Sequence, residues 1–283
     1  MQVLCFGKSG QLAQELARFD GVICLGRAEA DLADPEACVA AIRQHQPAAV
    51  INAAAYTAVD KAEEEEALAT IINGEAPGAM ARCCAELGIP FITVSTDYVF
   101  DGSGTRPWLP ADRTAPLNAY GRSKLAGEQA VCAAGGAYGI LRTSWVVSAH
   151  GANFVKTMLR LGAERDRLNI VADQIGAPTP ARDIAGACMQ MAAQLADDSS
   201  KAGIYHVSGA PEASWADFAR EIFDQAGLQC DVSGIPSSDY PTPATRPLNS
   251  RLDCTSLETA FGVTQPDWRT GLETILKDLG AFR

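Results

Sequence analysis

Tyr120 stands four residues before Lys124 in the stretch from Asn118 to Glu128. On a helix that spacing puts both side chains on one face, with the ammonium close to the phenol. A free phenol ionises near pH ~10, and a neighbouring cation stabilises the phenolate, so the pair has the makings of a proton donor near neutrality. The same two residues also fit the exposed start of an ordinary surface helix, because Tyr-x-x-x-Lys is a short pattern. What the other elements place beside the pair decides between these readings.

The chain opens with a strand-like run, Gln2 to Phe6, then Gly7-Lys8-Ser9-Gly10-Gln11-Leu12-Ala13 and a helical pattern through Glu15, Leu16 and Phe19. Strand, glycine turn and helix form a phosphate-holding layout: Gly7 allows the tight turn, Gly10 lets backbone approach a pyrophosphate, and Ala13 permits close helix packing. The helix N-terminus adds N–H donors and partial positive charge. A purely structural turn is the alternative. The next strand, Val22 to Leu25, ends in Gly26-Arg27. An acid at that tip would bind an adenosine ribose, whereas an arginine suits a 2′-phosphate. NADPH is therefore the expected cofactor, with NADH as the alternative, and Asp31 and Leu32 are expected near the adenine. Asp34-Pro35 then opens a helix as N-cap and first residue.

Ala48 to Asn52 reads as a strand running into Ala53-Ala54-Ala55-Tyr56-Thr57, whose small residues leave room for a ligand or make a tight helix–strand junction. Asp60 to Glu66 is strongly acidic and reads as a solvated helix start without cationic partners, to which no chemistry is assigned. A helix from Asn73 to Leu87 ends at Gly88 and Pro90. Phe91 to Ser95 is a buried strand that delivers Ser95, Thr96, Asp97 and Tyr98 to the carboxyl edge of the sheet, where open α/β sheets bind ligands. Thr96 has a hydroxyl suited to a substrate carbonyl. The loop carrying Pro107, Pro110 and Pro116 is expected to cover part of the cleft. Further strands are expected around Gly139 to Leu141, Leu168 to Val171 and Ile204 to Val207, with helices over Asn153 to Gly162, Arg182 to Leu195 and Ser214 to Ala226. Ala210 to Ser214 and Ser233 to Pro247 read as loops.

Over 283 residues, 47% hydrophobic and 20% charged, no apolar run nears the ~18 residues of a membrane span. The first residues have no basic lead-in, and a cytoplasmic protein is expected. A net charge of -11 disfavours nucleic acid. An anionic small ligand would need local cations, for which Lys8, Arg27, Arg246 and Arg251 are candidates. Nine cysteines without a Cys-x-x-Cys pair, and three histidines without ligand spacing, indicate free thiols rather than a metal centre.

The turn 7–12, Asn52 to Thr57, Ser95 to Phe100 and Tyr120 to Lys124 are ordered and spaced as in the extended short-chain dehydrogenase/reductases. With Arg142-Thr-Ser-Trp-Val146, Asn153-Phe-Val155, Asp173 to Thr179 and Tyr240 to Pro247, the chain most closely resembles the dTDP-4-dehydrorhamnose reductase family over nearly its whole length. The resemblance implies an α/β fold: a Rossmann-type doubly wound parallel sheet over residues 1–146, partly rejoined by about 165–207, and a smaller mixed α/β substrate-binding lobe over 147–283. It implies NADPH-dependent reduction of the 4-keto group of a nucleoside-diphosphate 6-deoxy sugar, dTDP-4-dehydrorhamnose to dTDP-rhamnose. Tyr120 would give the proton, Thr96 a hydrogen bond, and Lys124 would lower the tyrosine pKa and hold the nicotinamide ribose. The cofactor would lie along Gly7, Lys8, Ser9, Gly10, Gln11, Leu12, Arg27, Ala53, Ala54, Ala55, Thr57 and Ser95. Val59, Asp97, Tyr98 and Trp145 would border the sugar, with Trp145 stacking on it or packing the domain junction. The loop ending in Arg246 would close over the nucleotide, with Arg246 on the diphosphate or paired to an acid of its own lobe. Some relatives are thought to dimerise through Mg²⁺ held by glutamates; Glu15 is in place, but Arg182 stands where another acid aligns, so no metal is expected, and the assembly is a monomer or homodimer. Two rival readings remain. One is a non-catalytic regulatory subunit of a partner enzyme, against which Thr96, Tyr120 and Lys124 argue. The other is a sugar-nucleotide dehydratase or epimerase, in which a glutamate commonly occupies the position of Tyr98.

Overall fold

A computed structural model describes residues 1–283. The first half alternates strand and helix: β1 (Val3–Phe6), α1 (Gln11–Leu16), β2 (Val22–Leu25), α2 (Pro35–His45) and β3 (Ala49–Asn52). A helical run follows, α3 (Val59–Ala62), α4 (Glu66–Thr70), a π-turn at Ile71–Glu75 and α5 (Ala76–Leu87). β4 (Phe91–Thr96) passes into a 3₁₀ turn at Asp97–Val99, then come α6 (Ala119–Ala134) and β5 (Tyr138–Thr143). Beyond these lie β6 (Val146–Val147), α7 (Phe154–Glu164), β7 (Arg167–Val171), β8 (Ile175–Gly176), β9 (Thr179–Pro180), α8 (Ala181–Asp197), β10 (Gly203–His206), β11 (Ala213–Ser214), α9 (Trp215–Ala226), β12 (Asp231–Ile235), α10 (Thr255–Phe261) and α11 (Trp268–Asp278).

Six strands form one parallel sheet in the order β10-β5-β4-β3-β1-β2. Its strands are apolar runs because both faces are covered, one by α1, α8 and α10, the other by α2, α5 and α6. Strand order reverses between β1 and β3, which opens a crevice at their carboxyl ends. This is the doubly wound Rossmann architecture. Within the span 165–207 only α8 and β10 join this sheet; Arg167–Val171 pairs instead with Asp231–Ile235 in a separate two-stranded ribbon. Residues 233–235 are therefore strand rather than loop, paired to a segment 64 residues earlier and out of reach of a local reading. The second core gathers α7, α9 and α11 around Phe218 and Trp268.

α1 stops at Leu16, short of Phe19. α6 is held unusually close to its neighbours. A side chain at Gly121 would meet the Tyr98 carbonyl oxygen at 2.3 Å, and one at Gly127 would meet that of Asn73 at 2.1 Å. Asn73, in the π-turn, reaches across to Ser123 Oγ (2.9 Å) and to both backbone groups of Tyr56. Gly127→Ala therefore forces α6 off the π-turn; a stability loss of about 1–3 kcal/mol is expected in denaturant titration, as for other overpacked sites.

Candidate active site

The first turn of α6 is fixed from three directions. Asn118 caps it by accepting from Gly121 N–H (2.8 Å) while its amide donates to the Thr245 carbonyl (2.8 Å). Glu63 accepts from Ala119 N–H (2.8 Å), and Glu66 grips Arg122 through two bonds of 2.7 and 2.9 Å. The acidic stretch 60–66 is thus not the unpartnered solvated helix start expected: Lys61 pairs with Glu65 within it (2.8 Å), and the partners of Asp60, Glu63 and Glu66 lie more than fifty residues away, on α6 and on the late loop. Asp60 holds Arg246 (2.5 and 2.9 Å), and Glu65 accepts from Tyr56 Oη (2.8 Å). Arg246 consequently has its acid partner in the first domain rather than in its own lobe, where it donates only to the Ala244 carbonyl (2.7 Å).

Tyr120 and Lys124 do lie on one face of α6, at the end of β4. Burial pushes the Tyr120 phenol up to about 12; the neighbouring Thr96 hydroxyl draws it down and Asp97 pushes it further up. Burial also pushes the Lys124 ammonium down, to about 8, against the pull of Glu128. The tyrosine is therefore not lowered overall as expected: loss of hydration is the largest influence on both groups, and Lys124 Nζ donates to the Val94 carbonyl (2.7 Å). Thr96 Oγ accepts from Tyr98 N–H (3.1 Å) and donates to Asp97 Oδ1 (3.0 Å). Asp97 is 2% exposed, its carboxyl raised by burial to about 6, and its Oδ2 has no partner. The Tyr98 ring stands edge-on to Tyr120, with centroids 5.6 Å apart.

A cleft of about 780 Å³ runs past this group. Gly7 to Leu12, Arg27, Asp31, Leu32, Ala53, Ala54, Ala55, Thr57, Val59, Ser95, Thr96, Asp97, Tyr98, Tyr120, Lys124 and Trp145 all border it; Arg246 does not. The cofactor end has the shape a dinucleotide needs. Gly7 has φ +124°, and a side chain there would press on Ala13 (3.2 Å), while one at Gly10 would meet nothing within 4 Å. No side chain caps α1, which leaves first-turn N–H groups for an anion. The cations nominated for that task are all paired: Lys8 with Glu29 (3.1 Å), Arg27 with Asp31 (3.8 Å), Arg246 with Asp60 and Arg251 with Glu212 (2.6 Å). Gln11 ties the turn to the second lobe, donating to the Val146 carbonyl and accepting from Ser148 and Asn153.

Trp145 has φ +48°, uncommon for a bulky residue, and stacks on Trp215 with centroids 3.7 Å apart. Trp215 borders the cleft as well. The sequence presented it only as the start of an amphipathic helix; the capping Ser214 before it was the one available hint that its ring stands at a helix mouth. Glu15 is bonded to Arg18 (3.3 Å) and faces His150 (3.4 Å), and no group of three or more His, Cys, Asp or Glu side chains is arranged to hold a metal ion.

Known proteins share this arrangement. The sequence profile of the RmlD substrate binding domain matches residues 1–281. The dTDP-4-dehydrorhamnose reductase of Sinorhizobium fredii is 48% identical over 278 residues, 95% of this chain and 94% of that one. The chain belongs to the dTDP-4-dehydrorhamnose reductase family. The Escherichia coli member is 41% identical over 99% of this chain and 98% of its own. Among solved structures, the reductase of Clostridium acetobutylicum superposes with a TM-score of 0.92 at 35% identity, covering 99% of this chain and 100% of that one. The Bacillus anthracis enzyme, in complex with NADP, gives 0.91 at 35%, covering 98% and 100%. A UDP-glucose 4-epimerase from Brucella ovis reaches 0.79 at 18% identity, a likeness of fold alone. Family membership makes the chain an NAD(P)H-dependent oxidoreductase of nucleotide sugars. No helix is long and apolar enough to cross a membrane.

The buried Asp97 carboxyl, with one oxygen unpartnered, yields a stability prediction. A folded-state pKa raised above the unfolded ~3.9 favours the folded protein only below that value, and the advantage is lost as pH rises through about 6. Asp97→Asn is therefore expected to be more stable than the parent at pH 8, by up to about 3 kcal/mol, with the gap closing below pH 4 in urea titrations.

Proposed function

We propose that the chain reduces the 4-keto group of a nucleoside-diphosphate 6-deoxy sugar, dTDP-4-dehydrorhamnose to dTDP-rhamnose, with NADPH as reductant and Tyr120 as proton donor. The observation that carries this reading is that Tyr120, Thr96 and Lys124 border one cleft whose other end is a glycine turn open to a phosphate. Bound NADPH would supply the hydride. The chain's own groups do the rest. A phenol raised to about 12 is fully protonated at neutral pH, as an acid must be at the start of a reduction. Tyr120 gives its proton to the carbonyl oxygen as negative charge grows there, and the Thr96 hydroxyl turns from Asp97 Oδ1 to donate its one hydrogen bond to the same oxygen. The phenolate left behind is offset by the Lys124 ammonium, the cation of this wall.

In this reading Gly7 to Leu12, Ala53 to Ala55, Thr57, Ser95 and Lys124 hold the cofactor, with Arg27, Asp31 and Leu32 at its adenosine end. Val59, Asp97, Tyr98 and Trp145 border the sugar, with Trp215 backing Trp145. Residues 1–146 with 181–206 and α10 form the cofactor domain, and the remainder makes up the substrate lobe. Arg246 acts through its Asp60 clamp, ordering the loop that includes Ala244, rather than on the diphosphate. The complex of the Bacillus anthracis relative with NADP supports the choice of cofactor.

Tyr120→Phe should lower kcat with dTDP-4-dehydrorhamnose by about 100-fold or more; NADPH consumption at the parental rate would remove Tyr120 from the mechanism. Because Lys124 loses its charge as pH rises through about 8, kcat/KM should fall on the alkaline side of that value. Comparing NADPH with NADH in the parent and in Arg27→Ala tests the cofactor: the preference for NADPH should shrink in the variant, and an equal preference in both proteins would exclude a role for Arg27.

A further inference from the structure

The face of α6 that begins with Tyr120 and Lys124 continues one turn later to Glu128, and the three residues engage three consecutive residues of β4. Tyr120 lies by Thr96, Lys124 Nζ donates to the Val94 carbonyl (2.7 Å), and Glu128 Oε1 accepts from Ser95 Oγ (2.6 Å). Glu128 is also gripped by Arg142 of β5, Nε to Oε1 at 2.9 Å and Nη2 to Oε2 at 2.6 Å, with the two side chains 3% and 2% exposed. The third guanidinium nitrogen, Nη1, donates to the Pro110 carbonyl of the covering loop (3.1 Å), and the guanidinium lies over the Phe100 ring. We propose that Glu128 is a positioning residue of the reaction: braced by Arg142 and Ser95, it fixes the register of α6 on β4 and keeps Lys124 charged and in place beside Tyr120.

A buried ion pair is a poor way to gain stability, since removal of two charges from water offsets much of their attraction, and apolar replacements are often neutral or better. Its place here has a local reason. Lys124 is 4% exposed, and its hydrogen-bond partner is a neutral carbonyl. The charged or titratable side chains on its own face of the helix are Tyr120 and Glu128, while Arg122 is held by Glu66; after β4 come Asp97 and Tyr98, and on β5 Arg142. On the opposite side of α6, Glu63 and Glu66 are engaged at the first turn. Glu128 holds Lys124 charged, and it also balances the cation of Arg142. Neutralising Glu128 leaves two buried cations without a carboxylate, which disfavours the ammonium.

The inference rests on the proposed roles of Tyr120 and Lys124. Glu128→Gln should lower kcat about 10-fold or more while KM for dTDP-4-dehydrorhamnose stays within about twofold. Its alkaline limb should move down by roughly one pH unit, both in kcat and in NADPH affinity followed by tryptophan fluorescence. The double variant Glu128→Gln/Arg142→Met removes both charges. It should keep a melting temperature near the parent's and return the limb towards the parental position, yet retain the lowered kcat because the register is still unpinned. If Glu128→Gln does not fold, the double variant alone decides: parental kcat in it overturns the proposal. An unmoved limb in a folded Glu128→Gln, in activity and binding alike, does the same. Tyr120→Phe run alongside separates the two claims, since an active Tyr120→Phe sinks the acid assignment itself, whereas an inactive one with an unmoved Glu128→Gln limb sinks only the role of Glu128.

Discussion

Keeping an ammonium out of water is the constraint on which the wall of this cleft depends. Lys124 is charged at neutral pH only by a narrow margin, with its ionisation drawn down to about 8. The surroundings supply what hydration would have given: a carbonyl at 2.7 Å, a carboxylate one turn along and a backbone brought close by glycine. Gly121 and Gly127 have no side chains to hold α6 away from Tyr98 and Asn73, so the helix sits deep enough for Lys124 to reach Val94. The π-turn at Ile71–Glu75 belongs to the same arrangement, since it turns Asn73 towards Ser123 and Tyr56. Burial then acts in opposite directions on the pair. It raises the phenol, which keeps its proton, and lowers the amine, which keeps its charge only with help.

Much of this was legible in the sequence where the relevant physics is local. The strand runs, the Asp34 cap and the glycine turn depend on neighbours within a few residues, and the structure has them where propensity and capping place them. What escaped is set by partners far along the chain. Asp60, Glu63 and Glu66 read as a solvated acidic run because Arg246, Ala119 and Arg122 are distant in sequence. β12 needs β7 to exist as a strand. The pull of Lys124 on Tyr120 was read from spacing alone, and spacing carries no information on desolvation, which here is the largest influence on both groups. Trp215 was hidden for a related reason: an aromatic residue at the start of an amphipathic helix looks the same whether it faces a core or a cleft.

A chain of net charge -11 that handles anions must choose which of its cations to release. The exposure of each ion pair sets that choice. Lys8 and Glu29 are 60% and 45% exposed, and Arg27 and Asp31 81% and 39%; pairs of that kind contribute about 0–1 kcal/mol and exchange partners at little cost. Arg142 and Glu128, nearly sealed from solvent, cannot separate without leaving a bare charge in the interior. Arg246 and Asp60 stand between these extremes, at 20% and 43%. In the proposed reading, the exchangeable cations therefore lie at the adenosine end, where a phosphate would compete with Glu29 and Asp31, and the fixed ones lie behind Tyr120, where movement of a charge would disturb the acid. In that reading, solvent access leaves Lys8 and Arg27 free to exchange partners and keeps Arg142 in the scaffold.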